Sequence, residues 1–346
     1  MWRIIDANLD RIGEGLRLLE DVARFLLNDS NLTEQIKTMR HELLRGDWPF
    51  HRQLIQSRDS SGDIGMDIEA RGEPNQRELP ITVMANARRV QESLRVLEEL
   101  AKTPDITPQL DSDKFKHARF ALYSIEQTLL SKIQRHDKAG QISGLYIIID
   151  TDILKGRNPV ETAEQVIRGG ATIIQLRDKL SSKKELLSVA RKLKELCARH
   201  NVLFIVNDHL DIALASDADG LHVGQEDLPV QVARKLLPLD KILGCSVTTS
   251  TEALAAETEG ADYLGVGAIY ATTSKEDVSV VGLKGLREVR EATTLPLVAL
   301  GGIAQENVSE VITADADSVA VISAVLQAED IASATGQIIE RIQETK

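Results

Sequence analysis

The spacing of apolar residues changes character once along this chain. Before residue 134 they recur at helical intervals; from Gly144 they gather in short runs separated by amphipathic stretches. In the first part, Ile12, Leu16, Leu19 and Ala23 share one helical face, as do Val90, Leu94, Leu97 and Ala101. These belong to an internal repeat. ANLDRIGEGLRLLEDVAR, 7–24, aligns without a gap with ANARRVQESLRVLEELAK, 85–102, and nine of the eighteen positions are identical. A second helical segment follows each copy, at about 32–44 and about 113–133, sharing a Lys-x-x-Arg at Lys37/Arg40 and Lys116/Arg119. Two helical hairpins related by a pseudo-twofold predict a four-helix bundle. The stretch between the copies, 46–80, has little periodicity and reads as a long loop. Its Asp59, Asp63 and Asp67 are of a type that binds metal, although solvated loop carboxylates explain them as well. Gln134 to Gly140 reads as a polar linker, dividing the chain into an all-α domain, 1–138, and a second domain, 139–346.

The second domain alternates strand and helix. Apolar runs at 144–150, 172–178, 203–208, 220–224, 242–247, 263–269, 296–302 and 318–323 predict eight strands. Helical patterns lie at 158–168, 183–199, 210–216, 229–237, 251–259, 283–292, 305–313 and 330–343. This alternation points to an α/β fold, a closed (β/α)8 TIM barrel. A doubly wound open sheet is the competing arrangement. The count of eight, and the lack of a G-x-G-x-x-G after the first strand, favour the barrel.

Such barrels present their chemistry at the C-terminal ends of the strands, and polar residues collect there. They are Gln175, Arg177, Asp178 and Lys179 after the second run, Asn207 and Asp208 after the third, and Gln225 and Asp227 after the fourth. Ser246 and Thr248 follow the fifth, Thr272, Thr273, Ser274 and Lys275 the sixth, Gly301 and Gly302 the seventh, and Ser323 the eighth. Any one cluster is explained by helix capping, since Asp is a favoured N-cap; seven at one rim point to a site. Asp208 and Asp227 fall beyond one sheet edge, and paired carboxylates suit Mg²⁺, usually held by one or two carboxylates plus a substrate phosphate. Arg177, Lys179 and Lys275 are cations beside them. That combination suits a departing diphosphate. Gly301-Gly302 and Ser323 lie where barrels commonly bind a single phosphate. No Cys/His pair or triad is evident, so the predicted reaction is displacement of diphosphate by a second, phosphorylated substrate.

Composition narrows the context. Residues 1–140 hold 21 Lys and Arg against 23 Asp and Glu, a net of −2, so the remaining 206 residues carry −10 of the total −12. The rim cations therefore sit in an acidic domain, and general nucleic-acid binding is disfavoured. No apolar run approaches the ~20 residues of a membrane span, and charges interrupt the N-terminus too early for a signal peptide. Cys197 and Cys245 lack metal-ligand spacing and read as buried thiols in a reducing cytoplasm. The expected partners are small phosphorylated substrates, neither nucleic acid nor membrane, with a homo-oligomer left open. The repeat also retains Asn8, Arg11, Glu14, Arg17 and Glu20 against Asn86, Arg89, Glu92, Arg95 and Glu98. This slanted polar stripe is either a solvated face with intrahelical ion pairs or a pseudo-symmetric anionic-ligand site built from paired arginines.

Several motifs, in order and spacing, resemble the thiamine-phosphate synthase family: QLRDK (175–179), ND (207–208), ADGLHVGQEDLP (218–229), GCSVTT (244–249), DYLGVGAIYATTSKED (262–277), ALGGI (299–303) and VAVISA (319–324). The resemblance implies condensation of 4-amino-2-methyl-5-hydroxymethylpyrimidine diphosphate with a (carboxy)thiazole phosphate, giving thiamine phosphate and diphosphate. It implies one Mg²⁺ on Asp208 and Asp227. It assigns Arg177, Lys179, Asn207, Ser246 and Lys275 to the diphosphate, with Arg177, Ser246 and Lys275 the catalytic group, and Gln175 to the pyrimidine. Thr272, Thr273, Ser274, Gly302, Ile322 and Ser323 fall to the thiazole phosphate. The helical region resembles one fused to cyanobacterial-type synthases. Alternatives are that this region phosphorylates the pyrimidine monophosphate, that the chain is a regulatory relative binding pathway intermediates, or that the barrel is another phosphate-binding enzyme such as an epimerase or aldolase.

Overall fold

The computed structural model describes residues 1–44, 50–58, 78–104, 106, 110–272 and 279–345. They form two compact units, Met1–Gln134 and Arg135–Lys346.

The first unit is helical. α1 (Trp2–Asp21) runs into a π-helical turn, Val22–Leu26, and is followed by α2 (Ser30–Leu44), α3 (His51–Gln56), α4 (Leu79–Leu100) and α5 (Ser112–Gly140). The apolar positions of both repeat copies are buried in one core. α1 and α4 approach closely at Gly15, where a Cβ would stand 2.4 Å from Val90 Cγ2. Its repeat counterpart, Ser93, is also small and buried. The C-terminal end of the polar stripe in each copy forms an ion cluster. Buried Glu20 meets Arg17 at 3.5 Å and Arg40 at 2.8 Å; buried Glu98 meets Arg95 at 2.8 Å and Arg119 at 3.0 Å. The second arginine in each comes from the Lys-x-x-Arg of the following helix. These arginines are engaged by the protein's own glutamates, which is the intrahelical-pair reading extended across each hairpin. Two sequence expectations need correction. The long 46–80 segment contains α3, anchored by buried Phe50 and Leu54, because apolar residues there recur at i and i+4. Asp59, Asp63 and Asp67 lie outside the described residues. Residues 134–140 are the last turns of α5, not a linker.

The second unit is a closed, all-parallel barrel of eight strands in sequence order. β1 (Gly144–Asp150) is followed by α6 (Pro159–Arg168), β2 (Ile173–Arg177), α7 (Lys183–Arg199), β3 (Leu203–Asn207) and α8 (Leu210–Ala215). Then come β4 (Gly220–Val223), α9 (Val230–Leu236), β5 (Ile242–Val247), α10 (Ser250–Glu259), β6 (Tyr263–Val266) and α11 (Gly282–Ala292). β7 (Leu297–Leu300), α12 (Val308–Thr313), β8 (Ser318–Val321), α13 (Ser323–Leu326) and α14 (Ile331–Thr345) complete it. Strand side chains alternate between two cores. Tyr146, Ile148, Ile173, Leu203, Ile205, Ile242, Tyr263 and Val298 fill the barrel, while their neighbours in sequence pack under the helices. Capping boxes at Ser182/Glu185 and Thr249/Glu252 start α7 and α10.

Within this unit the end of α5 is fastened to the N-terminal side of the strands. Arg135 is buried, donating to Asp262 Oδ1 at 2.7 Å and to the Leu239 carbonyl at 3.2 Å. Asp262 Oδ2 also accepts from Arg234 and from the Leu243 amide. Burial lowers the Arg234 pKa to about 10, with Arg135 pushing the same way.

Candidate active site

The closed barrel brings the strand ends, and the described rim residues on them, to one face. Arg177 closes β2 in register with Asp150, the last residue of β1. Asp150 is buried; its Oδ1 accepts from the Asp152 amide at 3.0 Å, and its Oδ2 takes the Arg177 guanidinium. That carboxylate, which the sequence reading did not single out, fixes where the guanidinium sits. The available signal was an Asp ending the first apolar run. Asp178 is structural: its Oδ1 accepts from the Leu180 and Ser181 amides at 3.0 and 2.9 Å and shapes the turn carrying Lys179.

Asp208 follows β3 in the left-handed region, at φ 61°. Few residues accept that conformation, Asp among them, and its amide donates to the His222 carbonyl of β4 at 2.8 Å. That bond holds Asp208 against β4, the strand that leads to Asp227. The Asp208 pKa is raised to about 6, first by burial and then by its contact with Asp227, with Lys179 and Arg177 opposing. So both carboxylates and two of the predicted cations lie within electrostatic reach of one another. Asp227 Oδ2 also accepts from the Gly224 amide at 2.8 Å, which holds its loop. No ion pair among the described residues involves Asp208, Asp227 or Lys179, and no group of three metal-ligating side chains occurs among them. Two juxtaposed carboxylates with open coordination fit Mg²⁺, which keeps several waters and completes its shell with phosphate oxygens. Asn207, one residue earlier, ends β3.

Gln175 and Ser246 are joined through the barrel interior. Gln175 Nε2 donates to Tyr146 Oη at 2.8 Å, and Tyr146 meets Tyr263 hydroxyl to hydroxyl at 3.1 Å. Tyr263 Oη lies 3.1 Å from His222 Nδ1, and His222 Nε2 lies 2.9 Å from Ser246 Oγ. Gly244 makes room for this arrangement, since a Cβ there would stand 2.1 Å from Tyr263 Cζ and 2.5 Å from His222 Nδ1. Tyr146, His222 and Tyr263 were missed at the sequence level; a lone His inside an apolar run was the signal.

On the far side of that face, the segment after β6 lies along the end of β7. The Ile269 amide donates to the Leu300 carbonyl at 2.9 Å and the Tyr270 amide to the Gly301 carbonyl at 3.0 Å. Gly302, at φ 64°, would place a Cβ 2.6 Å from the Ala271 carbonyl oxygen. Thr272 therefore follows directly on the contact with Gly302. Ile322 and Ser323 open α13 at the end of β8. Thr273, Ser274 and Lys275 lie outside the described residues.

Comparison with known proteins matches residues 145–325 to the family model "Thiamine monophosphate synthase" and residues 3–128 to "ThiD2 family". A thiamine-phosphate synthase of Nostoc punctiforme is 37% identical over 348 residues, covering 100% of this chain and 95% of its own length. One of Thermosynechococcus vestitus is 38% identical over 345 residues, covering 99% of this chain and 95% of its own. Among solved structures, a thiamine phosphate pyrophosphorylase from Pyrococcus furiosus is similar at 41% identity and a TM-score of 0.56, over 60% of this chain and 98% of that one.

Proposed function

The chain belongs to the thiamine-phosphate synthase family, and from that premise we propose how its rim residues divide the work. The enzyme is a transferase of thiamine biosynthesis. It joins 4-amino-2-methyl-5-hydroxymethylpyrimidine diphosphate to a thiazole phosphate and releases diphosphate, with CO2 as well when the thiazole carries a carboxylate. The alternatives of a kinase activity in the helical region and of a non-catalytic relative are not favoured, since the full-length relatives carry the synthase name.

In this reading Asp208 and Asp227 hold one Mg²⁺ ion. When bound, the ion would neutralise charge on the diphosphate as it leaves. Arg177, held by Asp150, contributes a fixed cation to that group, and Lys179, Asn207, Ser246 and Lys275 contact the same group. Gln175 orients the pyrimidine. The C–O bond to diphosphate breaks first, the electron-rich aminopyrimidine stabilises the methylene cation, and the thiazole nitrogen then forms the new C–N bond. No protein nucleophile is needed; the residues bind, orient and stabilise charge. Thr272, Thr273, Ser274, Gly302, Ile322 and Ser323 receive the thiazole phosphate. The chain works in a reducing cytoplasm, consistent with two buried free thiols whose pKa values burial raises to about 12 for Cys197 and about 11 for Cys245. Among the described residues, no helix is long and apolar enough to cross a membrane.

The observation that carries this assignment is the meeting of Asp208 and Asp227 within reach of Arg177 and Lys179. The test is to incubate the full chain with both substrates, with Mg²⁺ and with EDTA. Thiamine phosphate and diphosphate should form in equal amounts, and only with the metal. Equal rates in EDTA would remove the metal assignment, and no product under any condition would remove the functional reading.

A further inference from the structure

The barrel interior contains a single file of polar side chains from five strands: Gln175 on β2, Tyr146 on β1, Tyr263 on β6, His222 on β4 and Ser246 on β5. All but Ser246 are buried, and no buried side-chain nitrogen or oxygen among the described residues lacks a hydrogen-bond partner. The identities of the ends decide which way each bond runs. A primary amide nitrogen only donates, so Tyr146 Oη accepts from Gln175. Burial raises the pKa of both phenols, so each keeps its one proton. Tyr146 then gives its proton to Tyr263, the other hydroxyl within reach, and Tyr263 gives its own to His222 Nδ1. A neutral imidazole accepting at Nδ1 carries its proton on Nε2, and Nε2–H donates to Ser246 Oγ.

We propose that this file has one direction, from Gln175 to Ser246, and that it makes Ser246 an obligate hydrogen-bond donor to the anionic ligand of the rim. Tyr146, Tyr263 and His222 are its positioning residues. The proposal rests on the assignment of Ser246 to the diphosphate under Proposed function. A free serine hydroxyl turns either way, having one proton and two lone pairs. Once its oxygen accepts from His222, its proton is left for a site oxygen. A donor already oriented before the charge develops needs no reorganisation when the diphosphate leaves. The same file ties the pyrimidine residue, Gln175, to the diphosphate residue, Ser246, through protein interior alone.

The first test needs no substrate. In histidine-selective ¹⁵N NMR of the full chain, with His222 signals assigned by their loss in His222→Asn, His222 should be the Nε2–H tautomer with bare Nδ1. An Nδ1–H tautomer overturns the inference. The second test uses Tyr263→Phe, which keeps the ring and removes the donor to Nδ1. Tautomer purity should be lost, and kcat should fall by about tenfold, the effect of one net hydrogen bond. In a Ser246→Ala background the same change should alter kcat by less than about twofold, because the two act through one bond. Equal losses in both backgrounds would mean that the file only packs the core, and the inference is wrong. If Ser246→Ala leaves turnover intact while the tautomer is as expected, the direction stands and the assignment of Ser246 to the diphosphate falls.

Discussion

Both units of this chain bring arginines and carboxylates together, and they do so to opposite ends. In the helical repeat, buried Glu20 and Glu98 each take one arginine from their own helix and one from the next. Each cluster is complete in itself. At the barrel rim Arg177 is satisfied in this way, by Asp150. Asp208 faces a second carboxylate, and burial, followed by the contact with Asp227, raises the Asp208 pKa to about 6. Evolution toward stability alone does not keep two carboxylates in contact. The pair is an arrangement that a ligand completes, whereas the repeat's clusters hold helices together.

The largest effects should separate the two kinds of cluster. Asp208→Ala or Asp227→Ala should lower kcat/KM by at least about a hundredfold and leave the melting temperature near or above that of the parent. Glu98→Ala should do the reverse. Removing one member of a fully buried ion pair costs ~3–5 kcal/mol. Arg95 is 53% exposed and can turn to water, so a loss of about 2 kcal/mol is expected, read as a lower midpoint in urea with turnover per folded molecule intact. Activity lost with Glu98 at unchanged stability would break the comparison and give the repeat a ligand.

Next in size is Arg135. It is a charge cluster inside the barrel unit and should behave like those of the repeat. Its side chain is 5% exposed and its loss leaves Asp262 with Arg234 and the Leu243 amide. Arg135→Ala should therefore cost about 2 kcal/mol, less than an unpartnered buried charge, and lower the barrel's melting temperature by roughly 4–8 °C. Calorimetry on the full chain reads this directly. An unchanged transition would mean that the last turns of α5 contribute nothing to the barrel. The same contact argues against trimming the chain at residue 140, which would remove Arg135 and Lys138 from their partners.

Much of this was legible in the sequence because period carries it. Strand limits at 144–150 and 242–247, and helix limits at 183–199, match the observed elements. Rim residues could be named because a parallel barrel puts every strand's C-terminal end on one face. The misses share a cause. Residues 134–140 are polar because they end a helix whose charges find partners far along the chain, Asp262 for Arg135 and Asp240 for Lys138, and a local pattern cannot see a partner. Asp150 and His222 escaped notice for the same reason. Each is an ordinary residue in an apolar run until register sets Asp150 beside Arg177 and His222 between Tyr263 and Ser246.

The smallest predicted effect tests the comparison at its root. If Asp208 and Asp227 are held together against their repulsion, easing it should stabilise the metal-free protein. In EDTA, Asp208 keeps its proton up to about pH 6 when folded, against an ordinary value of 3.8. Between about pH 4 and pH 6 the unfolded chain therefore sheds a proton that the folded chain still binds, so the folded state loses stability as pH rises, and the whole deficit is present above about 6. Asp227→Asn removes the neighbouring charge and leaves burial, the larger cause, in place. The rise from 3.8 to about 6 corresponds to roughly 3 kcal/mol. Discounting for burial, which remains, and for the solvent around exposed Asp227, leaves about 1 kcal/mol, or roughly 2–4 °C in melting temperature. The gain should be present at pH 7.5 and absent near pH 4, where Asp208 is protonated in either protein. Adding Mg²⁺ should then raise the melting temperature of the parent by more than that of the variant. A gain of equal size at both pH values would locate the effect in packing rather than in charge, and the contrast between the rim pair and the clusters of the repeat would lose its electrostatic basis.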